Sequence, residues 1–446
     1  MCSRSIRHSL RVDLSRYTAR AAAAQPFVVE GRVRDVVGVI VGVEGIMAPV
    51  GAQLELDLGG RTLRLEVLGF REGRLLTAPL GDTAGIAPGM RVRPREDGAL
   101  APVGDALLGH VVDAFGTPTD SELSGPTERA PVRAAPPPAL TRRAITEPLG
   151  TGVRALDALL PLGLGQRVGL FAGTGVGKST LLGMLCRHAS ADVIVVGLIG
   201  ERGREVGDFV RQVLGEQGRA RSVVVAATSD EPPLVRARGA LYATTLAEHF
   251  RARGKRVLLV MDSVTRYAMA LREATLAAGE PPLTKGYTPT VFASLPSLME
   301  RAGTCDGPGS ITAVYTVLVE GDDLNDPIAD AVRGVLDGHI VLTRKLADKG
   351  LFPAVDVLRS VSRLAQDLCP PQHLEDIARV REMLGTYEDA ADLIQIGAYV
   401  AGSDPRVDRA RAAMPRIEAL IRQSLVEGVP RAEALNTLRM TAGVAR

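Results

Sequence analysis

Between residues 27 and 96 apolar and polar side chains alternate in short runs punctuated by glycine, clearest in VVGVIVGV (36–43), LELDL (54–58), TLRLEVLGF (62–70) and RLLTAPL (74–80). Leu54, Leu56 and Leu58, then Leu63, Leu65 and Val67, keep a period of two, which marks half-buried strands. Several such strands at roughly ten-residue spacing predict a small β-barrel or sandwich. From about 151 to 370 the pattern changes to apolar runs separated by helical stretches: QRVGLFAG, DVIVVGLIG, RSVVVAAT, RVLLVMDS, SITAVYTVL and GHIVLTR. Strands that are apolar on both faces predict a mainly parallel α/β sheet covered on both sides. After Pro370-Pro371 helical periodicity takes over in HLEDIARVREMLGTYEDAADLIQIGAYV and MPRIEALIRQSLVEG. Residues 97–150 are rich in Pro and Gly and read as a connector that wraps onto the α/β domain. The expected division is therefore a tail at 1–26, a barrel at 27–98, an α/β domain at 99–370 entered through that connector, and a helical domain at 371–446.

A length of 446 residues accommodates these parts as two or three domains. The net charge of +2 leaves no overall field favouring nucleic acid or a membrane surface. Phe27 and Phe70 are the aromatic residues of the barrel stretch, too few π-faces to stack single-stranded bases, so no nucleic-acid partner is expected. The tail is basic locally, and Arg4, Arg7 and Arg11 would share one helix face. A solvated tail and a docking helix both fit that spacing. Cys2, Cys186, Cys305 and Cys369 have no paired spacing, which suits a reduced, cytoplasmic protein. There is no signal-peptide core, and VIVVGLIG is far too short to span a bilayer. Five of the 53 basic residues are lysines (178, 255, 285, 345 and 349), so a position that keeps lysine in this arginine-rich chain can mark a need for an ammonium.

One of the five lies in a recognisable loop. QRVGLFAG runs directly into TGVGKSTLLGMLCRHA, a strand, a glycine loop and a helix in that order. Ala172-Gly173-Thr174-Gly175-Val176-Gly177-Lys178-Ser179 matches a P-loop, with Ala in the place of the first Gly. Gly173, Gly175 and Gly177 let backbone N–H groups turn inward around phosphate oxygens, and the helix that follows offers its positive end. Lys178 would reach the β- and γ-phosphates, and the Ser179 hydroxyl is suited to Mg²⁺. RVLLVMDS ends in Asp262, a carboxylate where a nucleotide-bound Mg²⁺ needs one. VIVVGLIG ends in Glu201, placed to orient and polarise an attacking water. Glu205 competes for that role but lies a turn further on, where it suits an exposed partner for Arg202. The group Glu320, Asp322, Asp323 and Asp326 reads as a solvated, self-capping turn rather than a metal site.

The segments EPLGTGVRALDALL, GQRVGLFAGTGVGKSTLLGM, GLIGERGREV, MDSVTRYAMALREATLAAGEPP, GSITAVYTVLVEGDDLNDPIAD, LDGHIVLTRKLADKGLFPAVDVLRSVSR and LIQIGAYVAGSDPRVDRA resemble the type III secretion ATPases, flagellar and injectisome. These are relatives of the catalytic subunit of rotary ATP synthases, and the likeness runs over about residues 27–425. The resemblance implies a RecA-like P-loop NTPase core between an N-terminal barrel and a C-terminal helical domain. It implies ATP and Mg²⁺ as cofactors, bound through Gly173 to Thr180, with Glu201 as the water-activating carboxylate and Arg202 near the γ-phosphate. The same resemblance makes Arg363 an arginine finger offered to a neighbouring subunit, and Phe352 the ring against which adenine packs. It further implies a homohexameric ring with the loop at Gly286-Tyr287 near its pore, and a stator-like regulator at the N-terminus. Export-gate and stalk-like components, secretion chaperones and export substrates are the other implied partners, at the cytoplasmic face of the inner membrane. A rotary ATPase subunit and an RNA-translocating ring share the core motifs and are the alternatives.

Overall fold

The computed structural model describes residues 14–23, 29–95, 98–319 and 326–443. Phe27, Arg4, Arg7, Arg11, Glu320, Asp322 and Asp323 lie outside them. Within the described part of the tail, Ser15–Ala23 is helical and carries Arg16 and Arg20 into solvent.

Six strands form the N-terminal barrel: β1 (Gly31–Val37), β2 (Ile40–Glu44), β3 (Gln53–Asp57), β4 (Thr62–Arg71), β5 (Arg74–Pro79) and β6 (Arg91–Arg95). They close in the order β1-β2-β5-β4-β3-β6. Leu54, Leu56, Leu63, Leu65 and Val67 turn inward as their alternation requires. Two details depart from the sequence pattern. The run 36–43 is not one strand but a hairpin, turned at Gly38 with φ of 59° and leaving Val37 exposed. The closing strand β6 has one apolar residue facing the core, Val92, so its pattern gave no signal.

The segment after the barrel is more than a connector. β7 (Leu100–Val103) and β9 (Glu128–Pro131) pair as a ribbon, while β8 (Val111–Val112) between them joins the central sheet at its edge. A second ribbon, β10 (Pro148–Leu149) with β11 (Leu162–Gly163), precedes the sheet proper. That sheet contains β12 (Arg167–Ala172), β13 (Val193–Ile199), β14 (Ser222–Ala227), β15 (Arg256–Asp262), β17 (Ser310–Leu318), β18 (Gly338–Leu342) and β19 (Val355–Ser362). With β8 the order is β19-β18-β12-β17-β15-β13-β14-β8, and β16 (Gly303–Thr304) is paired beside β17. Every pair is parallel except β18–β19 and β16–β17. β13 is buried along its whole length because helices cover both faces. Gly197 at its centre lets the helix Pro233–Ala252 approach closely, since a Cβ there would meet Ala243 at 3.1 Å.

Three helices end the chain, Pro371–Gln395, Pro405–Ile421 and Arg431–Gly443, and pack on one another and on Arg154–Leu159. The first ends at Gln395, so IGAYV leaves the helix and exposes Ile396 and Val400. No helix among the described residues is long and apolar enough to cross a membrane.

The core also buries charge. Arg301, 1% exposed, donates to Glu248 at 2.9 and 2.5 Å, to Thr245 Oγ1 at 2.9 Å and to the Val132 carbonyl at 3.0 Å. Removing the guanidinium strands the Glu248 carboxylate. Arg301→Met should therefore cost about 3–5 kcal/mol, read as a lower urea midpoint, and Arg301→Met/Glu248→Met should recover most of it. A double variant no more stable than the single one would refute this account of the pair.

Candidate nucleotide site

Strand order decides what meets at the carboxyl ends of the sheet. β12, which leads into the glycine loop, sits two strands from β15 and three from β13, with β17 and β15 between. At about 4.8 Å per strand, Asp262 and Glu201 fall within reach of one long side chain rooted at Lys178. Lys178 Nζ donates to Asp262 Oδ1 at 2.5 Å and lies 3.6 Å from Glu201 Oε1. The structure thus brings together the three residues that the sequence had placed on separate segments.

The glycine loop is shaped for an anion. Gly175 and Gly177 have φ of 80° and 90°, and Gly177 is the N-cap of the helix Lys178–His188. Thr174, Gly175 and Ser179 are exposed, while Gly173, Gly177 and Thr180 are half-buried. Val176 differs from the reading that made it a ligand contact. Its side chain is 1% exposed and packs in the core, so its backbone alone can face a ligand.

Three neighbours of this centre carried no weight in the sequence reading. Thr316 on β17 donates its hydroxyl to Asp262 Oδ1 at 2.7 Å, fixing the carboxylate. Arg266, on the helix that follows Asp262, holds Nε 3.3 Å from Glu201 Oε1. Its stem packs against Gly200, where a Cβ would meet it at 2.9 Å. Arg344 donates to the Thr174 carbonyl at 3.0 Å and ties the loop to the segment after β18. Thr316 had a signal, a hydroxyl inside an apolar strand. Arg266 and Arg344 are ordinary helix arginines until the fold places them.

Burial raises the Glu201 carboxyl above the ordinary glutamate range. Lys178 pulls it down, Glu205 adds to the rise, and Arg266 opposes it. Glu201 Oε1 is buried and accepts no hydrogen bond, an acceptor left for a ligand or water. Arg202 is exposed and pairs with Glu205 at 3.6 Å, as the spacing suggested, and is not drawn to Lys178. Phe352 stands beside the loop, its ring 3.3 Å from where a Cβ on Gly177 would lie. Tyr287 is buried, with its ring under Arg272 at 5.0 Å, so the ring does not project from its loop.

Arg363 is not brought to this centre. β19 runs antiparallel to β18, with Val355 opposite Leu342 at the loop end and Ser362 opposite Gly338 at the other. Eight residues of strand carry Arg363 roughly 25 Å away. There its backbone N–H donates to Asp337 O at 3.1 Å and its Nη2 to Arg333 O at 3.3 Å.

Ser179 and Asp262 offer hard oxygen donors beside the loop, a set suited to Mg²⁺. Asp326, the described member of the acidic group, instead caps the helix Pro327–Val335 by accepting from Ile328 N at 2.9 Å.

Residues 152–362 match the ATP synthase alpha/beta family, nucleotide-binding domain, and residues 369–440 match the T3SS EscN ATPase C-terminal domain. The flagellum-specific ATP synthase of Pseudomonas aeruginosa is 50% identical over 444 residues, covering 96% of each chain. The chain belongs to the flagellar and type III secretion ATPases. Another relative, the type 3 secretion system ATPase of Xanthomonas euvesicatoria, is 46% identical over 98% of both chains. The assembled ATPase EscN of enteropathogenic E. coli, in complex with its central stalk EscO, superposes with a TM-score of 0.85 at 42% identity. It covers 92% of this chain and 100% of its own. For this secretion-type ATPase the reaction is ATP hydrolysis.

Arg344→Ala should free the Thr174 carbonyl and weaken nucleotide affinity about fivefold, as expected for one lost charge-assisted bond at the surface. Displacement of a fluorescent nucleotide measures it, and an unchanged affinity would show that the loop holds its shape alone.

Proposed function

We propose that this chain hydrolyses Mg-ATP to energise type III protein export, working as a homohexameric ring that releases chaperones and unfolds or feeds export substrates. The observation that carries the catalytic part is the convergence of Lys178, Asp262 and Glu201 at the ends of three strands. The phosphate chain lies in the loop 173–180, where backbone N–H groups and the helix end receive its charge. Its terminal oxygens compete with Asp262 for the Lys178 ammonium. Ser179 and Asp262 hold Mg²⁺, which when bound neutralises charge on the phosphate oxygens. Glu201, with its unpartnered Oε1 beside Lys178 and Arg266, orients the attacking water and accepts its proton. Phe352 packs against the base, and Arg202 stands at the mouth of the site near the γ-phosphate.

Arg363 completes the site of the next subunit. Its distance from its own loop and its place at the opposite end of the sheet edge support action in trans. A finger of this kind contributes about 10³–10⁵ in rate, which makes hydrolysis depend on assembly. The assembled form of EscN and its complex with a stalk support a ring with a stalk-like partner for this chain. The remaining partners are a stator-like regulator at the N-terminus, the export gate, chaperones and substrates, met at the cytoplasmic face of the inner membrane. Near-neutral charge and an aromatic-poor barrel leave nucleic acid without a role.

Glu201→Gln should retain nucleotide affinity and lose turnover by about 10²–10⁴, the usual worth of a general base. Because burial raises this carboxyl, the wild-type acid limb of kcat/KM should lie above the ordinary glutamate range, activity falling as pH drops through it. Unchanged turnover in the variant would assign the proton to another group. Rings mixed from Arg363→Ala and Glu201→Gln subunits should regain activity, since some interfaces then hold both intact residues. No recovery in rings shown to mix would exclude a finger acting across the interface. For the transport function, deletion of the gene should abolish export of flagellar or injectisome substrates, and secretion at wild-type levels would refute it.

A further inference from the structure

A second polar cavity lies between the barrel and the central domain, away from the glycine loop. Its volume is 220 Å³, and its polar lining comes from Gln53 on β3, Arg64 on β4, Arg95 on β6, Arg129 on β9 and Arg238 on the helix Pro233–Ala252, with Phe115 beside them. No acidic side chain lines it among the described residues. Arg64 and Arg238 both stack on Phe115, at 4.6 and 5.1 Å from the ring centre, so two like charges share one ring. Two buried donors facing this space lack partners: Gln53 Nε2, on a residue 3% exposed, and Arg238 Nε, on a residue 6% exposed.

The carboxylates beside the cluster are engaged. Glu55 is bound by Arg95, and Glu66 by Arg133 at 2.5 Å. Arg238 itself makes one long bond, from Nη2 to the Leu100 carbonyl at 3.4 Å. Burial pushes its guanidinium down to about 10; Glu66 partly offsets this, and Arg64 and Arg133 push the same way. A charged donor buried without an acceptor, among other cations, is unfavourable unless an anion enters.

We propose that this cavity binds a phosphate-type oxyanion that clamps the barrel to the nucleotide-binding domain. A tetrahedral oxyanion has enough acceptors for Gln53 Nε2 and Arg238 Nε together, and guanidinium forks match its edges. Gln53, Arg64 and Arg95 come from the barrel and Arg238 from the central domain, so one bound ion bridges both. The ion is either inorganic phosphate, which ATP hydrolysis itself releases, or the phosphate of a nucleotide.

The test is made on the full chain carrying Lys178→Ala, which removes the glycine loop's own grip on phosphate. Inorganic phosphate is titrated against chloride at constant ionic strength, with calorimetric affinity and thermal midpoint as readouts. A saturable, phosphate-specific rise in midpoint is expected. Adding Arg238→Gln should weaken affinity about tenfold, and the exposed Arg129→Gln about threefold, without disturbing the fold. Gln53→Met should also lower affinity yet leave the phosphate-free protein at least as stable, because it deletes an unsatisfied buried amide. If ADP competes with phosphate in the Lys178→Ala chain, a nucleotide supplies the group; if it does not, the free ion does. The proposal is overturned if phosphate acts no differently from chloride. It is equally overturned if the response vanishes with Lys178→Ala, or survives Arg238→Gln, Arg129→Gln and Gln53→Met unchanged.

Discussion

An ammonium held between two buried carboxylates is the interaction around which this molecule is organised. Asp262 and Glu201 end neighbouring parallel strands and would repel each other in a poorly solvated site. Lys178 supplies the counter-charge, with Arg266 on the far side of Glu201. The same ammonium is the group a phosphate chain needs, so the site is balanced in charge before and after a polyanion enters. A parallel sheet is required for this, because only there do several strands deliver their last residues to one edge.

The helical domain is tied to that centre through one short segment. Lys345 pairs with Glu388 at 2.6 Å, Arg422 donates to the Gly350 carbonyl at 3.1 Å, and Gln423 N donates to the Phe352 carbonyl at 2.9 Å. From the other side, Arg344 holds the Thr174 carbonyl and the Phe352 ring abuts Gly177. Residues 344–352 therefore connect the C-terminal helices to the glycine loop by direct bonds. Movement of either end is transmitted to the other without a long chain of weak contacts.

The abundance of arginine has a structural use. Arg221 donates to the carbonyls of Cys186, Arg187, Ala189 and Ala191 at 2.8–3.0 Å, closing the C-terminal end of the helix that Lys178 begins. Arg381 binds the carbonyls of Leu358 at 3.1 Å and Ser360 at 3.2 Å near the end of β19. A planar fork with several donors satisfies clustered carbonyls that an ammonium would serve less well. Lysine at 178 is the contrasting case, where a compact charge must point into a narrow glycine cradle.

Local signals were enough for much of this. The period-two runs specify barrel strands, the fully apolar runs specify a sheet buried on both faces, and the glycine loop announces a phosphate site, because each rests on spacing within a few residues. What lacked a local signal was missed: β6 shows one inward side chain, β8 has two residues, and Arg266 and Arg344 look like any helix arginine. Strand order is the clearest case of what tertiary structure alone decides. Nothing in VIVVGLIG or RVLLVMDS says that β15 lies between β13 and β17, or that Thr316 falls beside Asp262. Nor does SVSR reveal that Arg363 sits at the opposite end of the sheet from its own loop. Those relations depend on pairing between segments 50 to 150 residues apart, which is fixed by the burial of whole faces rather than by any short stretch of sequence.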